Sequence, residues 1–503
     1  MDPESSRTGS SDRSASLQLR ICELERARAE IDISLHRARS ELGELHNLKA
    51  PIYSLPNEVL ALIFESGQPS GPHAGHHPTR VYEAQVTRRW REVALSDASL
   101  WTHIYIGNGA RSQLELESAA VCLGRSKAAP LMVVVEIDGH TKDEGEISAI
   151  CALIGPCLNR WESCYVKSDW AKGLTMLFQS LSTNAMVPIL LRTLEVHHME
   201  HLASIPMDWG GRLFSAAPSL KTVALKGVTL KRIQLPLQCA AALHLESFSR
   251  HPDMISRELL CDVLKNSSNL TSLTLSGDLI DETLTDTTIH LPSLRTLRLR
   301  AAEVGLTIPA TLIAIRAPAL QILVLESVIE DDLQPFFESL GDHTGTKFPA
   351  LCSLTICQDD EHNFSIRTWD QLMLAFPTIT DFVFSYHSLD KFFMALQSPP
   401  TPTTHLAADR TPWPDLRVLT LSDQKLSAGA DVRPVHLLSA IADRNAKGHP
   451  LSKLRLSKPI VRQLKNLHHW ELLCKQVAKV EHFQLYRKDA QYLITWHSGI
   501  SHR

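Results

Sequence analysis

The residues best spaced for chemistry are His197-His198-Met199-Glu200-His201, which fit the H-x-x-E-H pattern of a zinc hydrolase. That chemistry needs the two outer histidines on one helical face and a carboxylate further along to complete the ligand set. His197 directly follows the apolar alternation Leu194–Val196, so the spacing predicts a polar loop after a strand, and a hydrolase using His197 and His201 is the remote reading. Asp359, Asp360, Glu361 and His362 could ligate a cation, but they too follow a strand-like run and are expected to form a solvated loop. Cys352 and Cys357 flank the run Leu351–Ile356 with no second cysteine couple to complete a metal site. Asn266, Asn269 and Asn363 begin glycosylation sequons that mean nothing without a secretory route. No nucleophile elbow, phosphate loop or dinucleotide glycine pattern is present. The chain reads as a binding protein, not an enzyme, with no metal and no cofactor.

The elements that carry these residues follow from composition and periodicity. At roughly 150 residues per domain, 503 residues allow about three domains, a count that a repeat array overrides. A hydrophobic fraction of 44% and a charged fraction of 21% suit a chain that buries a real core. Lys and Arg total 51 against 55 Asp and Glu, a net charge of −4, which argues against a general nucleic-acid binder or a membrane-surface protein. The first 15 residues have no apolar core, and no apolar run is long enough to span a bilayer, so neither leader nor anchor is expected. Ten unclustered cysteines fit a reducing compartment, so the expected location is cytoplasmic or nuclear.

Residues 1–16 are small and polar and are expected to be disordered. From 17 to 49 the chain reads in heptads. Ile21, Leu24, Ile31, Leu35, Leu42, Leu45 and Ile52 step by threes and fours, while Arg28, Ala38 and Lys49 fill the remaining seam positions. This coiled-coil helix either makes a homodimer or folds back on its own domain, and Pro51 ends it in both readings. Next, Leu55, Val59, Leu60, Ile63 and Phe64 make an apolar helical face behind Pro56. A breaker-rich loop, Ser66–Pro78, holds three Gly, three Pro and three His and is expected to be mobile. A second stripe follows through Tyr82, Val86, Trp90, Val93 and Ala94, with Arg88, Arg89 and Arg91 off it.

The segments LPNEVLALIF (55–64), VTRRWREVAL (86–95) and LWTHIYI (100–106) together resemble the F-box family in its fungal F-box-like form. The resemblance implies a small helical module over 52–101 that docks on a Skp-type adaptor and through it on a cullin-RING ubiquitin ligase. Carried over by position, Leu55, Pro56, Val59, Leu60, Ile63 and Phe64 would form the adaptor-facing helix. Val86 and Trp90 would hold the later helix against it. Thr87 departs from the Cys or Ser of many members, and the Ser66–Pro78 loop replaces a tighter acidic turn, which leaves adaptor binding through that loop open.

Beyond residue 102 one motif, apolar-x-x-apolar-x-apolar and usually preceded by Pro, organises the chain. Its clearest copies are APSLKTVAL (217–225), SNLTSLTL (268–275), LPSLRTLRL (291–299) and APALQILVL (317–325). Taking 191, 220, 245, 270, 294, 320, 351, 379, 416, 451 and 480 as first apolar positions, it recurs every 24 to 37 residues, the leucine-rich-repeat period with two longer spacings, 379 to 416 and 416 to 451, that need insertions. Leu100–Ile106, Pro130–Ile137 and Arg160–Val166 read as imperfect early copies. Residues 398–414 read as a disordered insertion, Arg257–Lys265 as a helical or irregular stretch covering the outer face, and 436–450 as a full outer helix. The expected fold is therefore α/β: a coiled-coil helix and a helical module followed by a leucine-rich-repeat solenoid, a horseshoe over 102–503.

That organisation predicts a substrate-recognition subunit of an SCF-type ligase, with catalysis supplied by proximity in the complex. The alternative is a repeat scaffold with no part in ubiquitination. The expected partners are the Skp-type adaptor with its cullin complex and an unidentified protein target, with no nucleic acid and no membrane. Strand alternation places Glu195, Lys226, Arg298, Arg300, Glu326, Asp381, Lys453, Arg455, His482 and Tyr486 on the concave face, where the target would bind. Charge is uneven there: Glu326–Asp342 holds six acids and no base, whereas Asp443–Asp489 holds eleven bases and four acids.

Overall fold

The computed structural model describes residues 5–67, 85–107, 112–140, 142–199, 211–214, 216–228, 230–231, 233–247, 255, 257–277, 279, 288–301, 307–341, 347–357, 364–385, 389–397, 411–422, 434–466 and 468–483. They divide into two compact units, one holding Met1–Thr102 with Cys122–Ala129 and the other His103–Val121 with Pro130–Arg503. Among the described residues no helix is long and apolar enough to cross a membrane.

The first unit begins with helix α1 (Ser5–Asn47). It starts twelve residues before the heptads, inside the segment expected to be disordered. Propagating an established helix costs far less than nucleating one, and no proline interrupts 5–47. A short 3-10 turn, Pro51–Ser54, leads to α2 (Asn57–Ser66), with Pro56 in the capping position and Glu58 in the first turn. Helix α3 (Arg88–Ser96) is capped by the Thr87 hydroxyl, which accepts from the Trp90 N–H at 3.1 Å. Leu60 and Phe64 of α2 are buried, and the Phe64 and Trp90 rings lie 4.9 Å apart. Trp101 closes this small core by donating its indole N–H to the Ala94 carbonyl at 2.7 Å.

The second unit is a solenoid-like α/β array. Its strands are β1 (His103–Gly107), β2 (Leu131–Ile137), β3 (Trp161–Ser168), β4 (Thr193–His198), β5 (Thr222–Lys226), β6 (Ala242–Glu246), β7 (Ser272–Ser276) and β8 (Ile289–His290). They continue with β9 (Thr296–Arg300), β10 (Ile315–Arg316), β11 (Ile322–Glu326), β12 (Ser353–Cys357), β13 (Asp381–Ser385), β14 (Val418–Ser422), β15 (Lys453–Ser457) and β16 (Lys479–Phe483). Fourteen of them form one parallel sheet in chain order, while β8 and β10 pair separately. The three segments read as degenerate repeats are therefore full strands, β1 to β3, of the same sheet.

Strand position is set locally. The proline-containing turn before five of the strands closes with an i to i+3 backbone bond: Leu220 to Ala217, Leu294 to Leu291, Leu320 to Ala317, Leu351 to Phe348 and Leu416 to Trp413, at 3.0–3.2 Å. Pro at the second turn position pre-sets the backbone for that bond, which explains its recurrence in the motif. Side chains then alternate. Leu297, Leu323, Leu354, Phe382, Leu419 and Leu454 share one register row and are fully buried. Helices Arg257–Lys265 and Pro434–Ala446 lie where the outer-face stretches were expected.

Two register assignments need correction. In β6 the buried pair is Leu243 and Leu245, so the first apolar position is Ala240 and not residue 245. In β16 Val480 pairs with Leu454, which makes Val477 the first apolar position. That three-residue shift moves every side chain to the other face. His482 joins the Leu456 row, and Glu481 takes the open-face position beside Arg455. A third correction concerns 398–414, of which 398–410 lie outside the described residues. Trp413 within it is core: it is buried and donates its indole N–H to Phe376 at 2.8 Å. Its ring joins Phe382, Phe392, Phe384 and Trp369 in an aromatic cluster that fills the widest repeat spacing. Arg444, fully buried, donates to the carbonyls of Pro412 at 2.8 Å, Trp413 at 3.0 Å and Leu416 at 3.4 Å. Burial lowers its guanidinium to about 10, against the opposing pull of Asp443.

Candidate functional site

The helical module separates its expected adaptor residues into two sets. Leu60 and Phe64 point into its own core, and Leu55 is half-buried. Pro56, Val59 and Ile63 stay exposed, joined by Leu62, which the pattern reading passed over. Trp90 holds α3 on α2 as expected, but Val86 is 55% exposed and does not. The missed residue is Arg89. Its guanidinium donates to the carbonyls of Tyr53 and Leu55, and its Nε donates to Asn57 Oδ1 at 3.0 Å. The same group lies 5.3 Å from the Tyr53 ring centroid. Arg89 thus fixes the Leu55-Pro56 turn from which α2 departs. Nothing in the local pattern of three arginines distinguishes it from Arg88 and Arg91, since the difference comes from a turn more than thirty residues away. Of the Ser66–Pro78 loop, residues 68–78 lie outside the described residues.

On the sheet, from β4 to β16 the odd positions of each strand face away from the leucine rows and form the open face. Glu195, Lys226, Arg298, Arg300, Glu326, Asp381, Lys453 and Arg455 all lie there. They are not free charges. Arg298 donates to Glu326 Oε1 at 2.5 and 3.1 Å, and Arg300 spans Glu326 at 3.5 Å and Glu246 at 3.8 Å. Glu246 also meets Lys226 at 3.9 Å and His244 at 3.5 Å. Burial raises the Glu246 carboxyl, but the His244 hydrogen bond and the charges of Lys226 and Arg300 outweigh it and hold the group below its ordinary value. From β5 to β11 the contacts join Lys226, Glu246, Arg300, Glu326 and Arg298 in one ionic chain, which crosses β7 over the uncharged Ser276. At the far end Arg455 meets Glu481 at 3.1 Å, with Lys453 at 3.9 Å and Lys479 at 2.6 Å. Contacts with Lys479 and Arg455 hold Glu481 at about 2. Asp381 accepts from the Thr380 hydroxyl at 2.9 Å. Tyr486 lies outside the described residues.

Between these charged regions, β12 to β14 present mostly small side chains on the same face, Asp381 being the one charge there. Thr355, Val383, Ser385, Thr420 and Ser422 are all buried there, Thr355 to 1% exposure. The hydroxyls of Ser353, Ser385, Thr420 and Ser422 have no hydrogen-bond partner among the described residues.

The zinc-like motif starts in the wrong element. His197 and His198 end strand β4, rather than following it as a loop, and so point to opposite faces. His197 Nε2 lies 3.6 Å from Glu195 on the open face, and His198 Nδ1 lies 3.2 Å from the Ser168 carbonyl. Glu200, His201 and the cluster Asp359 to His362 lie outside the described residues. Among the described residues no group of three His, Cys, Asp or Glu is placed to hold a metal ion. The two surfaces built from these residues are a clamped apolar helix and a charged parallel sheet. No protein-family model matches the chain, and no curated protein matches its sequence.

Proposed function

We propose that the chain is a substrate-recognition subunit of an SCF-type ubiquitin ligase, with α2 as the F-box-type docking helix and the leucine-rich-repeat sheet as the target platform. The observation that carries this reading is the exposed apolar face of Pro56, Val59, Leu62 and Ile63, set behind a turn that Arg89 clamps. An apolar face held rigid before binding loses little conformational freedom on docking. The ionic open face of β5 to β11 suits a target of mixed charge, because each acid there already sits beside a base. The location that follows is cytoplasmic or nuclear. Co-purification with a Skp-type adaptor tests the reading. Wild-type chain is expected to retain the adaptor, and Val59→Asp/Ile63→Asp is expected to lose it while keeping its thermal stability, since both residues are exposed. A wild-type chain that holds no adaptor leaves the repeat-scaffold function in its place.

A further inference from the structure

Helix α1 spans 43 residues, yet among the described residues its apolar seam stays exposed. Leu17, Ile21, Leu24, Ile31, Leu35, Leu42 and Leu45 are between 45% and 66% exposed. A helix with every seam residue in water is marginal, because helices draw most of their stability from a packed apolar face. The seam therefore requires an occupant, and the sequence says which one.

We propose that α1 pairs with α1 of a second copy of this chain, antiparallel, with Ile21 against Leu45 of the other copy. In that register Leu24 meets Leu42 and Ile31 meets Leu35, each pair occurring twice by symmetry. Arg28, the seam's large cation, falls opposite Ala38, its smallest residue. A parallel pair in register would instead stack Arg28 on Arg28 and leave a gap at Ala38 against Ala38. Arg28 is exposed and reaches Asp32 of its own helix at 3.8 Å, so beside a small residue it can run its stem over the seam and keep its head in water. The flanking charges agree. Along one edge Glu25 and Asp32 occupy the N-terminal half, and Arg39 and His46 the C-terminal half. Running the helices in opposite directions sets Glu25 beside Arg39 of the other copy, twice by symmetry, while Asp32, which then meets its own symmetry mate, is offset by Arg28 of its own helix.

The test uses the full chain carrying Cys22→Ser. Sedimentation is expected to give a dimer. Mild oxidation of co-expressed Ile21→Cys and Leu45→Cys chains is expected to yield the 21–45 intermolecular disulfide, identified as a cross-linked peptide, while neither variant alone yields 21–21 or 45–45. Arg39→Glu should weaken dimerisation about three- to tenfold, the scale of exposed ion pairs counted twice, and adding Glu25→Arg should restore most of it. In a parallel pair Arg39 would face Ser34 and the first change would be silent. A monomer, a dimer lacking the 21–45 peptide, or a 21–21 peptide overturns the proposal. None of these outcomes depends on adaptor binding.

Discussion

The open face changes character between β11 and β12. From β5 to β11 its stability rests on charges that neutralise one another from strand to strand and, at Glu246 and Arg300, across the uncharged β7, with Glu326 buried under Arg298 and Arg300. From β12 to β14 the same positions hold mostly hydroxyls and valines, with Asp381 the one charge among them, and the buried Arg444 sits on the helical side instead. One backbone geometry thus supports two ways of filling a sheet face. The ionic half gains from each pair only while both partners are present. The hydroxyl half keeps buried oxygens that gain nothing from being polar.

The largest break in this contrast should come from Arg444→Leu. It leaves the carbonyls of Pro412, Trp413 and Leu416 without their donor and should cost about 3 kcal/mol in a denaturant titration. Glu326→Ala should follow at about 2 kcal/mol, because it strands Arg298 and removes the second contact of Arg300. Thr420→Val should go the other way. Its hydroxyl is buried with no described partner, so replacing it with a methyl should raise stability by about 1 kcal/mol. Equal losses at Glu326 and Thr420 would erase the distinction between the halves. The smallest effect is on acidity. The folded Glu246 carboxyl lies below its ordinary 4.5, so its contribution is complete above that pH and is lost as pH falls through the lowered folded value. Hydrogen exchange should therefore accelerate in β5 to β7 and β9 below about pH 4.5, while β12 to β14 hold.

Much of the sheet was legible because Leu and Pro recur at fixed offsets, and the turn before five of the strands uses those same residues. Legibility failed where a repeat substitutes a less apolar residue at its first position. Ala240 hides the start of β6, and Val480 in β16 imitates a first position while occupying the second. His197 was read as loop because a polar residue ends the apolar alternation, although a strand edge facing solvent accepts one. The apolar face of α2 was legible as a stripe, but not its division into inward Leu60 and Phe64 and outward Val59, Leu62 and Ile63. That division depends on where α3 lies. Arg89 and Arg444 were illegible for a common reason: each satisfies backbone carbonyls of a turn about thirty residues distant in sequence, and no local spacing announces a long-range contact.

The chain-order arrangement of the large sheet has a consequence for how the protein is made. Each strand pairs first with one already synthesised, so no completed strand waits for a distant segment before it can bond. A chain leaving the ribosome at roughly 5–20 residues per second would finish one repeat every few seconds and lay it on the last. Growth of this kind needs no long-range search, and the exposed edge at any moment is a single strand wide.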